Sequence, residues 1–380
     1  MRAYWADGLT IESADAEYQV RIGALIRLDG RDLPVGAVPG TVTDTLTMRT
    51  VRTTIQGRIT KFFTFRLVPD FASSTSTLSD AFVDLGLSER VHVRFGRDKT
   101  PSGFETLLGD ANVLFMERGL TLNLVPGRDV GVQVYGDLAG GNASYVVGVF
   151  NGTVDGTQAP NLDTDNGKEL VARGVVHPFF SARTPFLEKL GFGFGGSRED
   201  QEGPLPSFKT ANQQSYFAYA PGVVADGLHT RVSPQVFHYY KSFSVYSEYA
   251  RSRQAVRKGD VGTSVTNTAW QVASAYILTG ETAGERVRPK EAFDPGAHKW
   301  GALQVMARYG TMTLDPVIFA SGLAGANSSQ HIQASSLGAI WFMTTNVKVI
   351  FNAEHSSFDH GRAGARKSED GLLFRVQLNF

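Results

Sequence analysis

Residues 371–380 alternate without a break. Leu372, Phe374, Val376, Leu378 and Phe380 fall on one side, and Leu373, Arg375, Gln377 and Asn379 on the other. Successive side chains of a β-strand point to opposite faces, so the segment predicts a strand with one apolar and one mostly polar face. The same period recurs upstream. In 18–28, Tyr18, Val20, Ile22, Ala24, Ile26 and Leu28 oppose Gln19, Arg21, Gly23, Leu25 and Arg27. Val91, Val93 and Phe95 oppose Arg90, His92 and Arg94, and Val130, Val132 and Val134 oppose Gly131, Gln133 and Tyr135. Leu170, Ala172, Gly174 and Val176 oppose Glu169 and Arg173. About sixteen such runs can be placed, near 17–28, 45–57, 59–68, 79–86, 90–96, 128–138, 143–150, 168–178, 188–196, 229–240, 242–253, 267–279, 298–310, 331–343, 346–357 and 371–380. Their typical length suits a tilted strand that crosses a bilayer in about 9–11 residues.

The links between the runs also alternate. Tight ones occur at Gly57-Arg58, Ser88-Glu89, Ala139-Gly140-Gly141-Asn142, Lys241-Ser242 and Thr344-Thr345-Asn346. Long ones occur at 29–44, 69–78, 97–127, 151–167, 197–228, 254–266, 311–330 and 358–370. Short turns on one rim and long loops on the other mark a transmembrane antiparallel β-barrel of the bacterial outer membrane. An even strand count puts both ends of the chain on the short-turn side, where 179–187 and 280–297 are longer than the rule prefers. A soluble sandwich would alternate too, but it buries its apolar face. Strand number, rim asymmetry and the aromatic at Phe380 favour the membrane, with 1–380 as one all-β barrel domain.

Composition narrows the chemistry. Charged residues make up 19% of the chain, below the usual quarter, and 37 basic side chains balance 37 acidic ones. No global charge points to nucleic acid, so electrostatic function must come from local segregation. The absence of Cys excludes disulfides, thiolate metal sites and Cys nucleophiles. No apolar run approaches the 18 residues of a membrane helix. Met1 to Asp7 lack the apolar core of a signal peptide, so an exported chain would be represented here in mature form. The spaced glycines of Gly191-Phe192-Gly193-Phe194-Gly195-Gly196 precede no helix and fit a barrel strand better than a dinucleotide loop. His355 and His360 carry no HExxH spacing. No metal, no cofactor and no catalytic set is expected; an outer-membrane barrel enzyme or a structural anchor is the alternative.

Several segments carry a recognisable order. Phe95-Gly96-Arg97 ends a strand, Phe115-Met116-Glu117-Arg118 lies in the following loop, and Val125-Pro126-Gly127-Arg128 turns into the next strand. With DGLTIESADAEYQVRIGALIRLDG near the start, FNGTVDG, DTDNGKELVARGVVHPF, GLHTRVSPQVFHYYKSFSVYSEYARS, WQVASAYILTGE and GALQVMARYG, this resembles the phosphate-selective porin O and P family over nearly the whole chain. The resemblance implies a sixteen-stranded barrel assembled as a homotrimer, with the third long loop folded into each pore, and passive uptake of phosphate or other small anions. It also implies contact with outer-membrane lipid and lipopolysaccharide, and Phe380 as the aromatic signal read by the barrel-assembly machinery.

Parity supplies candidate residues. It turns Arg21, Arg27, Arg52, Arg66, Arg94, Arg173, Arg231 and Arg308 toward the lumen, with the acids Asp80, Asp84, Glu169 and Glu248. Ion selectivity in a pore comes from charged side chains at a narrow point, and Arg suits phosphate-like oxyanions. The loop 97–127 brings Arg97, Lys99 and Arg118 together with Glu105, Asp110 and Glu117. Arg118 is the foremost constriction candidate, its alternative being a salt bridge that pins the loop. Arg49 matches one of two adjacent arginines of the phosphate-binding members. It shares parity with Val51 and Ile55, so it reaches the pore only through a bulge or from above the apolar band. The second arginine is replaced by Thr50, a loop lysine by Thr106 and a balancing acid by Ser79, next to Asp80. The stretch 203–210 holds one Lys and no Arg where those members have an arginine cluster. These departures imply a general, modestly anion-preferring pore rather than a high-affinity phosphate site.

Overall fold

The computed structural model describes residues 1–38, 41, 43–72, 76–158, 163, 165–180, 184–362 and 365–380. Parts of the predicted links 29–44, 69–78, 151–167, 179–187 and 358–370 lie outside the described residues. Each of the sixteen alternating runs forms a strand: β1 (Tyr18–Val35), β2 (Asp44–Ile59), β3 (Phe63–Asp70), β4 (Thr77–Ser88), β5 (Val91–Lys99), β6 (Arg128–Leu138), β7 (Ala143–Phe150) and β8 (Glu169–Val176). The second half contains β9 (Gly191–Gly203), β10 (Val223–Tyr240), β11 (Phe243–Lys258), β12 (Val261–Ile277), β13 (Ala302–Thr313), β14 (His331–Phe342), β15 (Val347–Asp359) and β16 (Ser368–Asn379). Each strand pairs antiparallel with the next, and β16 returns to β1 from Asp370↔Val35 to Asn379↔Leu25, which closes the barrel. Phe380 extends the seam, exchanging backbone bonds with Ala24 at 2.9 and 3.1 Å. A Cβ on Gly23 would lie 2.3 Å from the Phe380 carbonyl oxygen, so only glycine admits this approach.

Burial is inverted relative to a soluble protein. On β16, Leu372 is 56% exposed, while its neighbour Leu373 and the polar Arg375 and Gln377 are almost wholly buried. Phe95, Val132, Val149, Phe194, Phe351 and Leu337 are likewise exposed on the outer wall. An apolar exterior around a polar interior is the arrangement a bilayer demands, and a closed barrel leaves no unpaired edge in it.

Two predicted links are corrected. Gly57-Arg58 is not a turn but lies within β2, paired with Phe65 and Thr64, and the link to β3 is 60–62. Residues 254–266 are not a loop: β11 and β12 continue through them, and only Gly259 and Asp260 separate Lys258 from Val261. The alternation here persists beyond the bilayer because the two strands keep pairing above it. The long-loop side also holds a two-stranded sheet, Ser207–Lys209 with Ser215–Ala218, and a short helix, α1 (Pro316–Ala320), capped by Asp315. On the turn side a small hairpin, Arg2–Trp5 with Leu9–Glu12, adds to the foot of β1.

The interior contains two apolar clusters against the wall from β11 to β16. One joins Leu120 and Leu124 to Phe208, Phe217, Val265, Met312, Ile318 and Ile332. The other joins Phe104, Leu108, Val113, Phe115 and Met116 to Tyr246, Ile277, Met306, Ile340, Ile350 and Leu373. This is why Leu373 interrupts the polar face of the last strand: it packs against an inward loop.

Candidate functional site

The residues between β5 and β6 fold inside the barrel. The base of this loop is closed by Thr100 N–H donating to the Gly127 carbonyl at 2.9 Å. Its far side is tied to the β11–β16 wall. Glu248 accepts the backbone N–H of Phe104 at 2.9 Å and of Glu105 at 3.3 Å. Gly103 has φ +70°, and a Cβ there would press on Glu248, so the turn depends on glycine. Glu105 accepts Tyr246 Oη and Gln271 Nε2, both at 2.9 Å. Asn352 takes the Met116 N–H at 3.1 Å, Arg375 donates to the Met116 carbonyl at 2.8 Å, and Lys348 donates to the Ala111 carbonyl at 2.8 Å.

The opposite side of the loop presents two carboxylates to basic side chains of β1, β2, β5 and β6. Asp110 meets Arg52, Lys99 at 3.1 Å, Arg118 at 2.8 Å and Arg128 at 2.9 Å. Glu117 meets Arg31 at 2.6 Å and Arg49 at 3.0 Å. Burial alone would push both carboxyls up in pKa. The surrounding cations outweigh it, holding Glu117 down at about 2 and Asp110 well below the usual carboxylate range.

Arg49 reaches Glu117 through a bulge. Arg27 pairs with Thr50 and Leu28 with Met48, so Arg49 is the extra residue on β2. This frees it from the outward parity of Val51, while Thr50 turns inward and is buried.

Beside the loop lies a cavity of about 470 Å³. It reaches from loop residues Gly109–Asn112 to the turn-side rim at Asn379 and Phe380. Arg21, Arg52, Arg66, Lys99, Arg128 and Arg286 line it, against the acids Asp7, Asp80 and Asp110. The turn-side segment 280–297 folds under the lumen, where Arg286 binds Asp7 of the N-terminal hairpin at 2.9 and 3.0 Å.

The sequence candidates separate in space. Arg21, Arg52, Arg66 and Lys99 line the cavity. Arg66 leans on Asp80 at 3.2 Å, and Arg52 also binds Asp70 at 2.7 Å. Arg27 touches Gln377 at 3.2 Å and keeps one buried guanidinium nitrogen without a partner. Arg118 donates to the carbonyls of Glu105 at 2.9 Å and Leu108 at 3.3 Å, so it clasps the loop on itself. Arg97 turns to the Leu78 carbonyl at 2.9 Å, away from the Asp110 cluster. Arg94 is held by Asp84 at 2.8 Å and stacks over Phe82. Arg173 lines a second cavity on the other side of the loop, and Arg308 donates to the Glu117 carbonyl at 2.9 Å. Thr106 and Ser79 are buried, and Lys209 is exposed beside Asn123 of the loop.

Arg231 is enclosed by Asp155 and Glu169 at 2.6 Å and Glu199 at 2.9 Å, and is only 1% exposed. Its neighbour His229 bonds Ser252 at 2.8 Å and Glu199 at 3.1 Å. This serine–histidine–carboxylate set is not a nucleophile: Ser252 donates its proton to Asp155, and all three side chains are buried. It fastens the 151–155 segment inside the wall.

Sequence reasoning did not single out Arg31, Arg128, Lys348 and Arg375. Arg31 continues the parity of Arg27 three positions above where the first run was ended. Arg375 was visible on the polar face of the last strand, and Arg128 closes the Val-Pro-Gly-Arg element. Lys348 carried no signal beyond parity.

The family model described as phosphate-selective porin O and P matches residues 20–380. No curated protein matches the chain. Among solved structures, the outer membrane channel DcaP of Acinetobacter baumannii is similar at TM-score 0.62 and 13% identity, over 97% of this chain and 99% of that one. OmpT of Vibrio cholerae is similar at TM-score 0.60 and 12% identity, over 97% and 99%. OmpF of Salmonella typhi, in complex with daunomycin, is similar at TM-score 0.58 and 10% identity, over 97% and 100%.

Proposed function

Because this chain belongs to the phosphate-selective porin O and P family, and so forms a channel for small solutes in the bacterial outer membrane, we propose that it passes small anions in preference to cations. The observation that carries this reading is the cavity beside the inward loop, where six basic side chains face three acids. Asp110, the loop acid in that set, is already engaged by four cations. Most of these cations lean on a carboxylate, yet the basic side chains outnumber the acids, so a mobile anion entering there meets a net surplus of positive charge, and selectivity follows from such charge at close quarters.

The loop 97–127 is the constriction in this reading, within a single barrel spanning 1–380. Arg52, Arg66, Lys99 and Arg21 act directly on the permeant, with Arg27 and Arg49 adjoining. Arg118 holds the loop in place, and Arg94 and Arg97 support the wall. Arginine forks suit oxyanions such as phosphate, yet Thr50, Thr106 and the arginine-free stretch 203–210 leave no dense cluster for tight capture. The function proposed is therefore diffusion with modest anion preference. The chain is proposed to work as a homotrimer, in line with one solved form of OmpT of Vibrio cholerae described as a trimer. Phe380 is proposed as the contact for the barrel-assembly machinery.

Reversal potentials in planar bilayers under a KCl gradient test the reading. Arg52→Ala with Arg21→Ala is expected to move the potential toward cation preference while the folded barrel persists. Unchanged anion preference in that pair would remove the cavity as the selective element. Absence of current from the wild-type barrel would remove the proposed anion conduction altogether.

A further inference from the structure

The lumen arginines are largely matched by carboxylates or carbonyls. Among the described residues, three on the outer wall are not. Arg198 on β9 and Arg251 and Arg253 on β11 all point outward and are exposed. Among the described residues their guanidinium groups make no hydrogen bond and no ion pair. The register places them together: Arg198 lies opposite Thr230, and Thr230 lies opposite Arg253. Arg251 lies opposite Val232 on one side and Thr268 on the other. At ~4.8 Å between strands, Arg198 and Arg253 are roughly 10 Å apart, and Arg251 is about 7 Å from Arg253 along the strand.

Their height on the barrel is defined by what lies below. The next outward row toward the turn side contains Phe194, Pro234, Tyr249 and Trp270, and Trp270 packs edge-on against Tyr309 at 5.6 Å. Aromatic side chains at this position mark the boundary between hydrocarbon and headgroups. From Phe243 at the foot of β11, a strand tilted by ~40° climbs roughly 2.5 Å per residue, which places Arg251 and Arg253 about 20–25 Å up. That is the upper edge of an apolar band ~25 Å tall. Outward acids begin one row higher, at Asp200, and Asp226 above them is occupied by Arg257 at 2.6 Å. Thr230 and Val232 lie between the arginines and Thr266 and Thr268 flank them on β12, short side chains that leave the guanidinium forks uncovered.

We propose that Arg198, Arg251 and Arg253 form a docking site for the phosphorylated headgroup of an outer-leaflet lipid, namely lipopolysaccharide. Three forks within about 12 Å at headgroup level match a headgroup carrying more than one phosphate. The aromatic row beneath receives its acyl chains. The site lies outside the lumen and is independent of ion selectivity.

The test uses the folded full chain in detergent, titrated with intact lipopolysaccharide, with dephosphorylated lipopolysaccharide and with inorganic phosphate. Each arginine near an anionic surface contributes about fivefold. The triple variant Arg198→Gln, Arg251→Gln, Arg253→Gln is therefore expected to bind intact lipopolysaccharide on the order of a hundredfold more weakly than wild type. Wild type is expected to bind the dephosphorylated lipid as weakly as the variant binds the intact one. Inorganic phosphate at 10 mM is expected not to displace the lipid. The triple lysine variant, which keeps the charge, is expected to stay within about tenfold of wild type. Heat-modifiable gel mobility and unchanged conductance certify that each variant is folded. Binding by the glutamine variant within threefold of wild type overturns the proposal. So does equal affinity for the dephosphorylated lipid, or displacement by free phosphate.

Discussion

Arg49 and Arg231 show how differently two lumen arginines are used. Arg49 stands 43% exposed at a bulge and shares Glu117 with Arg31, whereas Arg231 is sealed among three carboxylates. Parity turned Arg231 inward and could not see that Asp155, from a distant link, would complete its cage. Parity also left Arg49 outside unless a bulge intervened, and the bulge is there. The two should respond differently to truncation. Arg231→Ala strands buried acids and is expected to cost about 3–5 kcal/mol in barrel stability, read by urea or thermal unfolding, with no change in reversal potential. Arg49→Ala is expected to shift the reversal potential and leave unfolding nearly unmoved. A pH series examines the loop acids. Glu117 has a folded-state value near 2, below its ordinary 4.5. The stability it contributes is therefore complete above about 4.5 and is lost as pH falls through about 2. The Glu117 contacts with Arg31 and Arg49 should therefore persist from pH 7 to about 4.5, so that loss of the extra stability that Arg49 and Arg31 confer on the loop, read by comparing wild type with Glu117→Gln, sets in only in stronger acid.

At the level of elements, all sixteen strands were legible because one side of each faces lipid, which enforces strict alternation on that side. The inner side obeys a weaker rule. Ala250, Ala269, Ala273 and Ile340 face inward yet are apolar or small, since they receive the loops. Nothing in a two-residue period tells a lumen filled with water from one filled with Phe104 or Leu124. The inward path of 97–127 came from family resemblance, and its anchoring to Glu248 was not visible at all. That anchor is measurable. Glu248→Ala leaves the Phe104 and Glu105 amides without an acceptor, at a cost of about 1–3 kcal/mol for each buried donor. The loop should loosen, giving larger and noisier single-channel steps than wild type.

Viewed whole, the barrel is lopsided. The wall from β11 to β16 is padded with apolar contacts, and the basic cavity lies toward β1 to β6. The sequence foreshadowed this, since basic residues outnumber acids on the inward faces of the early strands. It did not foreshadow the turn side, where 280–297 looked merely too long for its place. That segment instead reaches under the lumen and meets the N-terminal hairpin through Arg286 and Asp7.

The position of the cavity along the axis has a consequence for current. Its cations extend from the loop to the turn-side rim, so fixed charge is unequal at the two ends of the conducting path. A path with such a charge gradient behaves as a diode: ions accumulate in it under one polarity and are depleted under the other. Current at +100 and −100 mV should differ at about 0.01 M salt, where the screening length is ~30 Å, and become equal at about 1 M, where it is ~3 Å. Arg286→Ala, which removes one of the turn-side charges, should flatten the low-salt difference.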